Sequence, residues 1–430
     1  MLLFQGSAEA QSQNAKPEVF RWTFINYDDS QDILIDAIQC LGVAYHFERE
    51  IEEALECMHA TFDDDHGNED VDLYTVALGF RLLRQHGYNV SCAIFNNFKD
   101  ESSSFKESLI DDTSGMLSFY EATHLKVYGE DILEEALVFT TTHLESIAIH
   151  VSSPLVTQIT QALERPLRKS LERLFARRYI SIYQDEVSHN EALLKLAKLD
   201  FNLVQPLHKK ELQEITRALD FEGKLPFAIS RMVELYFWIV GVYFEPLYSV
   251  GRKIMTKVSV LLTIMDDIYD AFGTFEELVV CTKAIDKWDA NCVDELPEYM
   301  QTFYHALLNL YNEIEEEMVK EGRSYRVLYA IQAMKDQARS YFNEARCLHE
   351  GKVPSMEDYV RVATVSISYT FPITISLLGM GHVVTKEAFE RLFTDPKIVR
   401  AANTIFRLID DIVSTDVRII LLTCVIISMQ

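Results

Sequence analysis

Apolar residues recur at intervals of three and four along most of this chain of 430 residues. The pattern is clear in residues 51–58, 132–137, 191–197 and 307–319, and this spacing places apolar side chains on one face of a helix. Alternation of apolar and polar residues, which would indicate strands, is nearly absent, and proline and glycine fall between the periodic segments. The sequence therefore predicts an all-α protein that is long enough to form two domains.

The net charge of −26 comes from acidic residues spread along the chain. Such a surface argues against nucleic acid and against anionic membranes as partners. The seven cysteines are scattered and never spaced as Cys-x-x-Cys, which is typical of reduced thiols. The first residues do not resemble a signal or transit peptide, and no apolar run is long enough to span a bilayer. We therefore expect a cytoplasmic protein.

Residues 258–270 read VSVLLTIMDDIYD, an apolar helix that ends in Asp266, Asp267 and Asp270 before a helix stop at Gly273. Asp266 and Asp270 share one face at i, i+4, and their repulsion is roughly 3 kcal/mol. The negative end of the helix dipole adds to it. Protons or cations must relieve this repulsion, and oxygen ligands suit Mg²⁺ or Mn²⁺ arriving with a substrate phosphate. The alternative is an ordinary solvated helix face.

Residues 407–414 read RLIDDIVS. Asp410 and Ser414 share a face at i, i+4, and Arg407 lies one turn earlier. A buried helix with this face could bind a second metal ion and an anion, and its other positions carry Leu408, Ile409, Ile412 and Val413. The alternative is a local ion pair of Arg407 with Asp410 or Asp411, which would contribute only a few tenths of a kcal/mol.

Residues 231–238 read RMVELYFW, so that Arg231 and Trp238 lie two helical turns apart on one face. An aromatic ring can stabilise a cation through its quadrupole by roughly 0.5–2 kcal/mol. The alternative is an aromatic helix that simply contributes to the core.

Taken together and in this order, these segments resemble the plant terpene synthases, most closely the angiosperm sesquiterpene cyclases of the germacrene D and cadinene type. The resemblance covers the chain from about residue 34 onward. The segments that carry it are residues 38–47, 81–88, 120–125, 129–133, 236–246, 266–270 and 407–414.

The resemblance implies two helical domains, an α-barrel-like N-terminal domain without an active site and a C-terminal class I terpenoid synthase domain. We expect an irregular N-terminal arm, these two domains and an atypical apolar tail. Their predicted ranges are 1–33, 34–202, 203–414 and 415–430.

The resemblance also implies roles for individual residues. Asp266 and Asp270 would hold two Mg²⁺ ions with Asp267 beside them, and Asp410 and Ser414 would hold a third, with Mn²⁺ as a possible substitute. Arg231 and Arg407 would bind the diphosphate, and Trp238 would line the carbocation pocket. The implied reaction is Mg²⁺-dependent ionisation of farnesyl diphosphate and cyclisation to a sesquiterpene by a monomer, with geranyl diphosphate left open as a substrate.

The chain departs from the family pattern in several places. Arg418 stands where the second metal motif has a glutamate, Ile229 replaces an arginine, and a stretch after Arg217 is missing. The sequence also ends where the family continues through further helices, which suggests a truncated C-terminal domain. We therefore expect impaired catalysis.

Two alternatives remain open at this point. The first is an inactive relative that binds prenyl diphosphate or a partner protein without turnover. The second is a chain-elongating prenyltransferase, which would need an aspartate where Ser414 stands.

Overall fold

The structure, a computed structural model, describes residues 31–66, 71–148, 154–219, 225, 231–351, 355, 357, 363–364, 366–367 and 369–428; for 63–66, 154 and 414–428 it describes the backbone alone. The chain divides into two compact units, Met1–Pro206 and Leu207–Gln430. Their regular secondary structure is helical, and the described residues form no strand beyond one isolated bridge between Lys99 and Phe105. The prediction of an all-α fold is confirmed.

The N-terminal unit is a group of short and medium helices. They are α1 (Gln31–Cys40), α2 (Glu48–His66), α3 (Leu73–Gln85), α4 (Thr113–Thr123), α5 (Asp131–Ala148), α6 (Pro154–Glu164), α7 (Glu172–Asp185) and the first part of α8 (Glu191–Ala218). Aspartate caps begin two of these helices: Asp72 accepts a hydrogen bond from the Thr75 N–H (3.0 Å) and Asp112 accepts one from the Gly115 N–H (2.9 Å).

Aromatic side chains fill the centre of this unit. Phe80, Phe95 and Phe119 are fully buried. The ring centroids of Phe80 and Phe95 lie 5.0 Å apart and those of Phe95 and Phe119 lie 4.5 Å apart, within the range of favourable aromatic pairs. This cluster joins α3 to α4 and to the short helix Cys92–Phe98.

The C-terminal unit contains the remainder of α8 and longer helices. They are α9 (Met232–Val242), α10 (Ser249–Asp267), a π-helical turn (Ile268–Phe272), α11 (Phe275–Lys287), α12 (Glu298–Lys320), α13 (Tyr325–His349), α14 (Thr370–Leu378), α15 (Lys386–Leu392) and α16 (Lys397–Ser428).

Helix α10 runs through the core of this unit. Val258, Leu261 and Met265 are fully buried, one or two turns apart on one face, and they pack in one cluster with residues of α12 and α13 such as Leu307 and Met334. The apolar run in the sequence therefore forms a core helix, and this position carries the aspartates at its end into the unit.

A buried ion pair joins three helices near the start of α10. Arg252 is fully buried and donates to both carboxylate oxygens of Glu211 on α8, at 2.8 and 2.9 Å. The Tyr236 hydroxyl of α9 donates to the same carboxylate at 2.7 Å. Because a buried charge is tolerated only when it is paired and hydrogen-bonded, these contacts hold α8, α9 and α10 in one arrangement.

Helix α10 also makes a very close backbone contact with the end of α14. A Cβ atom at Gly379 would lie 2.1 Å from the Gly251 Cα, far inside van der Waals contact. Glycine is therefore required at Gly379 if the two helices are to cross here.

Several sequence predictions can be compared directly with these elements. The periodic segments 51–58, 132–137, 191–197 and 307–319 lie in α2, α5, α8 and α12, as predicted. Of the predicted arm, residues 31–33 already belong to α1 and the rest lies outside the described residues. The predicted boundary at 202 and the division at Pro206 both fall within α8, so Pro206 is an exception to the prediction that prolines lie between helices.

Helix α16 continues through the predicted apolar tail at 415–430 as far as Ser428. Its β-branched residues weaken helix propensity only by tenths of a kcal/mol each, too little to stop an established helix. Within the described part of the chain, no helix combines the length and apolarity that crossing a membrane would require. The six cysteines whose side chains are described form no disulfide with one another.

We expect Arg326→Ala to destabilise the protein by about 3 kcal/mol or more. Arg326 is 1% exposed and donates to the carbonyl oxygens of Leu377, Leu378, Gly381 and Val384, which follow or end α14. Without the guanidinium these carbonyls lose their donors and a cavity remains.

Urea unfolding followed by circular dichroism measures this effect. The control is Arg391→Ala, because Arg391 is exposed on α15 and its loss should change the free energy of unfolding by less than about 0.5 kcal/mol. Equal effects of the two substitutions would contradict the role given to Arg326.

Candidate active site

The aspartates at the end of α10 lie at a change of helix type. The α-helix ends at Asp267, and the chain continues through the π-helical turn Ile268–Phe272. The Gly273 N–H closes this turn on the Ile268 carbonyl at 2.8 Å. Single π-helical turns are often found at functional sites.

Neighbouring groups hold the π-helical turn in place. The buried Tyr269 hydroxyl is hydrogen-bonded to the Thr282 hydroxyl of α11 at 2.7 Å. Thr274 then begins α11 with a capping box completed by Glu277. The helix stop predicted at Gly273 is confirmed, but its φ of −79° is not left-handed. Glycine is needed instead for space, because a Cβ there would lie 2.6 Å from the Leu278 side chain.

Asp266 is a carboxylate that is strongly disturbed by its surroundings. Its pKa is raised from 3.8 to about 6, chiefly by burial and then by the charge of Asp270, with further contributions from Asp267 and Glu344. The repulsion between Asp266 and Asp270 expected from their spacing is therefore present, but loss of hydration is the larger cause. Asp267 is half-buried and Asp270 is exposed.

Helix α13 contributes side chains that the sequence analysis missed. The Tyr341 hydroxyl donates a hydrogen bond to Asp266, which partly lowers the pKa of that carboxyl. Glu344, one turn later, accepts a hydrogen bond from the Ser366 hydroxyl at 2.5 Å, and Gln337 donates to the Ser366 carbonyl. The spacing of Gln337, Tyr341 and Glu344 at i, i+4 and i+7 was a sequence signal for a polar stripe on one helix face.

The second acidic segment lies on α16. Arg407 donates to both Asp410 and Asp411, the latter at 2.6 Å, and only 9% of its side chain is exposed. The local ion pair, considered above as the alternative to a metal-binding face, is thus present with both partners. The two carboxylates remain 40% and 28% exposed.

The prediction that this segment forms a helix buried on its apolar sides is wrong. Among the side chains of α16 that the structure describes, up to Val413, a stripe at i, i+4 and i+8 is buried against the unit, formed by Val399, Asn403 and Arg407. The flanking apolar side chains point elsewhere because a helix that packs along one stripe exposes the rest of its circumference. Those exposed by 44–75% are Leu408, Ile409, Ile412 and Val413.

Hydrogen bonds connect both acidic segments to the same stretch of chain. Gln337, on the face of α13 that carries Tyr341, is bonded to Ser366. Three residues later the Tyr369 N–H donates to Asn403 on α16 at 2.7 Å. The first acidic segment is thus linked through α13 to residue 366, and the second is linked through Asn403 to residue 369. These bonds do not join the two acidic segments directly.

The remaining predicted site residues lie on α9 or outside the description. Arg231 is exposed at the start of α9, and Trp238 on the same helix is 55% exposed. Ser414 and Arg418 belong to the part of α16 whose side chains are not described, and Ile229 lies outside the described residues. The structure therefore does not bring Arg231 or Trp238 into contact with the aspartates.

The donor chemistry of the first segment fits Mg²⁺. Neighbouring carboxylates whose charges raise the pKa of Asp266 attract a cation, and Mg²⁺ is usually held by one or two carboxylates together with water and substrate phosphates. Among the described residues no three acidic, histidine or cysteine side chains are close enough to form a complete metal site. Water and substrate phosphates would complete the coordination of an ion bound at these aspartates. A cavity of about 350 Å³ in this unit lies beside Gln337 and Phe371. The aspartates at the end of α10 do not line it.

Residues 217–419 match the terpene synthase family metal-binding domain, and residues 6–163 match the terpene synthase N-terminal domain. The chain belongs to the terpene synthase family. A (−)-alpha-pinene synthase of Fragaria vesca is 59% identical over 96% of this chain and 74% of its own length. A (−)-germacrene D synthase of Vitis vinifera is 56% identical over 93% of this chain and 72% of its own length.

Solved structures agree with this family membership. Isoprene synthase from grey poplar leaves (Populus x canescens), in complex with three Mg²⁺ ions and dimethylallyl-S-thiolodiphosphate, matches with a TM-score of 0.87 at 35% identity. The match covers 96% of this chain and 80% of that protein. The fold is thus that of the class I terpenoid synthases, as the sequence resemblance implied.

We expect Asp266→Asn to stabilise the metal-free protein at pH 7.5 by about 2 kcal/mol. The folded-state pKa of Asp266, about 6, lies above its unfolded value of 3.8, so charging this carboxylate above pH 6 opposes folding. Asparagine keeps an acceptor for Tyr341 without the charge.

The advantage of asparagine should shrink as the pH falls through 6 towards 4, because the wild-type carboxyl then becomes neutral. Unfolding in urea with EDTA present, at pH 7.5 and pH 4.5, measures both values. A difference that is equal at the two pH values would contradict a titrating Asp266.

Proposed function

We propose that this protein is a sesquiterpene synthase that ionises farnesyl diphosphate with Mg²⁺ and cyclises the resulting carbocation with loss of diphosphate. The observation that carries the proposal is the state of Asp266, a carboxylate that is largely buried next to Asp270 and Asp267 and whose pKa is raised to about 6. A fold that keeps three acids together at the negative end of a core helix does so at a cost in stability. Binding of a cation removes that cost.

In this proposal Asp266 and Asp270, with Asp267 beside them, hold Mg²⁺ at the end of α10, and Asp410 with Ser414 holds it on α16. When bound, Mg²⁺ acts as a Lewis acid that neutralises charge on the leaving diphosphate. The protein contributes carboxylate ligands on a turn that Tyr269 and the capping box keep in position. Preorganised ligands of this kind do not need to be reordered during the reaction.

Arginine side chains would bind the diphosphate oxygens that the metal does not cover. Arg407 is held by Asp410 and Asp411, so a diphosphate would compete with these two carboxylates for the guanidinium. Arg231 is exposed at the start of α9, where an incoming anion can reach it. Guanidinium groups suit this role because their donors match phosphate oxygens in a bidentate geometry.

The carbocation requires apolar and aromatic surroundings. Phe237 and Trp238 present 46% and 55% of their surface on α9, and we assign Trp238 to the wall facing the cation. An aromatic face stabilises a cation without supplying a nucleophile that would quench it.

Farnesyl diphosphate is proposed over geranyl diphosphate because the sequence resembles sesquiterpene cyclases and because a germacrene D synthase is among the relatives. The (−)-alpha-pinene synthase among them favours a shorter substrate, since pinene has ten carbons and germacrene D has fifteen. The second candidate function is a relative that binds prenyl diphosphate without turnover. The retention of Arg407 by two carboxylates favours it.

The first test is the substitution Asp266→Ala. We expect a loss of turnover of at least 100-fold, because a carboxylate assigned as a direct Mg²⁺ ligand is removed, and a smaller loss for Asp267→Ala. Products from farnesyl diphosphate and Mg²⁺ are measured by gas chromatography with mass spectrometry. Glu316→Ala is the control, because Glu316 is an exposed acid on α12.

A second readout does not depend on activity. Mg²⁺ with inorganic pyrophosphate should raise the melting temperature of the wild type and of Glu316→Ala, but not that of Asp266→Ala. Equal turnover and equal stabilisation in all three proteins would rule out the ligand assignment. Stabilisation of the wild type without any product would support the non-catalytic alternative.

The second test compares substrates. We expect the kcat/KM for farnesyl diphosphate to exceed that for geranyl diphosphate by at least tenfold, because the longer chain buries more apolar surface in the pocket. Steady-state assays with both substrates at equal Mg²⁺ concentration measure the ratio. A preference for geranyl diphosphate would contradict the sesquiterpene assignment while leaving the family assignment intact.

A further inference from the structure

The N-terminal unit contains a half-open cavity of about 690 Å³. Its walls come from α1, α3, α4, α6 and α7, from Leu167 and from residues 186–188, and it reaches the surface at the exposed side chains of Ile33 and Val187. Cavities of this size are within the range of small-molecule sites. The sequence segments 81–88 and 120–125, which carried part of the family resemblance, contribute Arg81 and Glu121 to its lining.

Most of the wall is apolar. Four helices contribute apolar side chains to it, namely Leu78, Leu117, Leu155, Phe175 and Ile182. A ligand that occupies it would therefore gain mainly from the removal of apolar surface from water.

The cavity is unfavourable for anions. Its lining includes four carboxyl groups and one guanidinium: Asp36, Glu121, Asp185 and Glu186 against Arg81. Arg81 is 5% exposed and is paired with Asp36, and the Cys40 thiol donates to the same carboxylate at 3.3 Å. The cation is thus neutralised within the protein, and a phosphate or carboxylate ligand would find no unpaired positive charge among the lining residues.

The polar groups of the wall are suited to a neutral ligand. Glu121 is 7% exposed, and its Oε2 accepts the Leu167 N–H at 2.9 Å, while its Oε1 makes no hydrogen bond to the described residues. Burial raises the pKa of Glu121 to about 7 and that of Tyr74 to about 12, and it raises the pKa of Tyr179 as well. These groups can therefore offer protonated donors to an oxygen atom.

We propose that the cavity of the N-terminal unit is a binding site for a neutral, largely apolar molecule of about 10–20 non-hydrogen atoms that carries one hydroxyl or carbonyl oxygen. Its chain lies against the leucine and phenylalanine side chains, and its oxygen is hydrogen-bonded to Glu121. The proposal is independent of catalysis in the C-terminal unit.

Farnesol, a neutral alcohol of 16 non-hydrogen atoms, is the probe, and isothermal titration calorimetry of the whole chain measures its binding. Ala162→Trp fills the cavity from α6, where Ala162 is 5% exposed and lines the wall. We expect it to raise the dissociation constant of the farnesol that binds in the N-terminal cavity at least tenfold. Ala60→Trp, at an exposed position of α2, is the matched control and should bind like the wild type.

The charge argument is tested in the same way. Ala162→Trp raises the dissociation constant by some factor for each ligand. We expect this factor to be at least tenfold smaller for farnesyl monophosphate than for farnesol. Unchanged farnesol binding in a folded Ala162→Trp protein, or a larger difference for the monophosphate, would overturn the proposal.

A labelling experiment covers the case in which Ala162→Trp does not fold. A diazirine analogue of farnesol is photoactivated on the wild type, and the modified peptides are identified by mass spectrometry. Labels in residues 73–85, 113–123 or 172–188 support the site. Labels confined to residues 231–349 would mean that the alcohol binds only in the C-terminal unit, and the proposal would fall.

Discussion

Repulsion among carboxylates at the end of a core helix is the constraint that organises the C-terminal unit. The apolar face of α10 is buried among α12 and α13, and this burial brings Asp266 into surroundings with little water. Asp270, Asp267 and the negative end of the helix dipole add to the penalty. The Tyr341 hydroxyl relieves a part of it. Such an arrangement is more stable with a proton or a cation present, and it therefore couples the stability of the unit to what it binds.

The two acidic segments differ in their electrostatics although their sequences look alike. At the end of α10, Asp266 accepts a hydrogen bond from Tyr341 of α13, and the charges of Asp270, Asp267 and Glu344 act against its ionisation. On α16, Arg407 is paired with both Asp410 and Asp411, so that one positive charge offsets part of two negative charges. The first segment thus attracts cations, whereas the second must exchange an internal ion pair for an external partner. A diphosphate that arrives with metal ions would satisfy both requirements. The metal ions would supply positive charge to the first segment, and the diphosphate would supply an anion to Arg407.

The two units use buried polar groups in different ways. In the C-terminal unit, Glu211 is paired with Arg252 and Arg326 donates to several carbonyl oxygens, and these contacts fix the positions of helices. In the N-terminal unit, the polar groups line a cavity, and burial keeps several of them in the neutral form. Paired charges make a rigid core, whereas neutral donors around a cavity leave hydrogen-bonding capacity for a ligand.

The sequence alone determined the helical class, the main helices and the family, because helical periodicity and motif spacing are local properties of the chain. It also identified Asp266 and its neighbours as candidates for cation binding. Only the tertiary structure decided which surroundings each candidate receives. Burial is the larger cause of the raised pKa of Asp266, and Tyr341 and Glu344 lie beside this aspartate. Arg407 is paired with two aspartates, and the apolar sides of α16 are exposed. These depend on which residues from distant parts of the chain pack together, and the spacing of residues within a single helix does not encode that information.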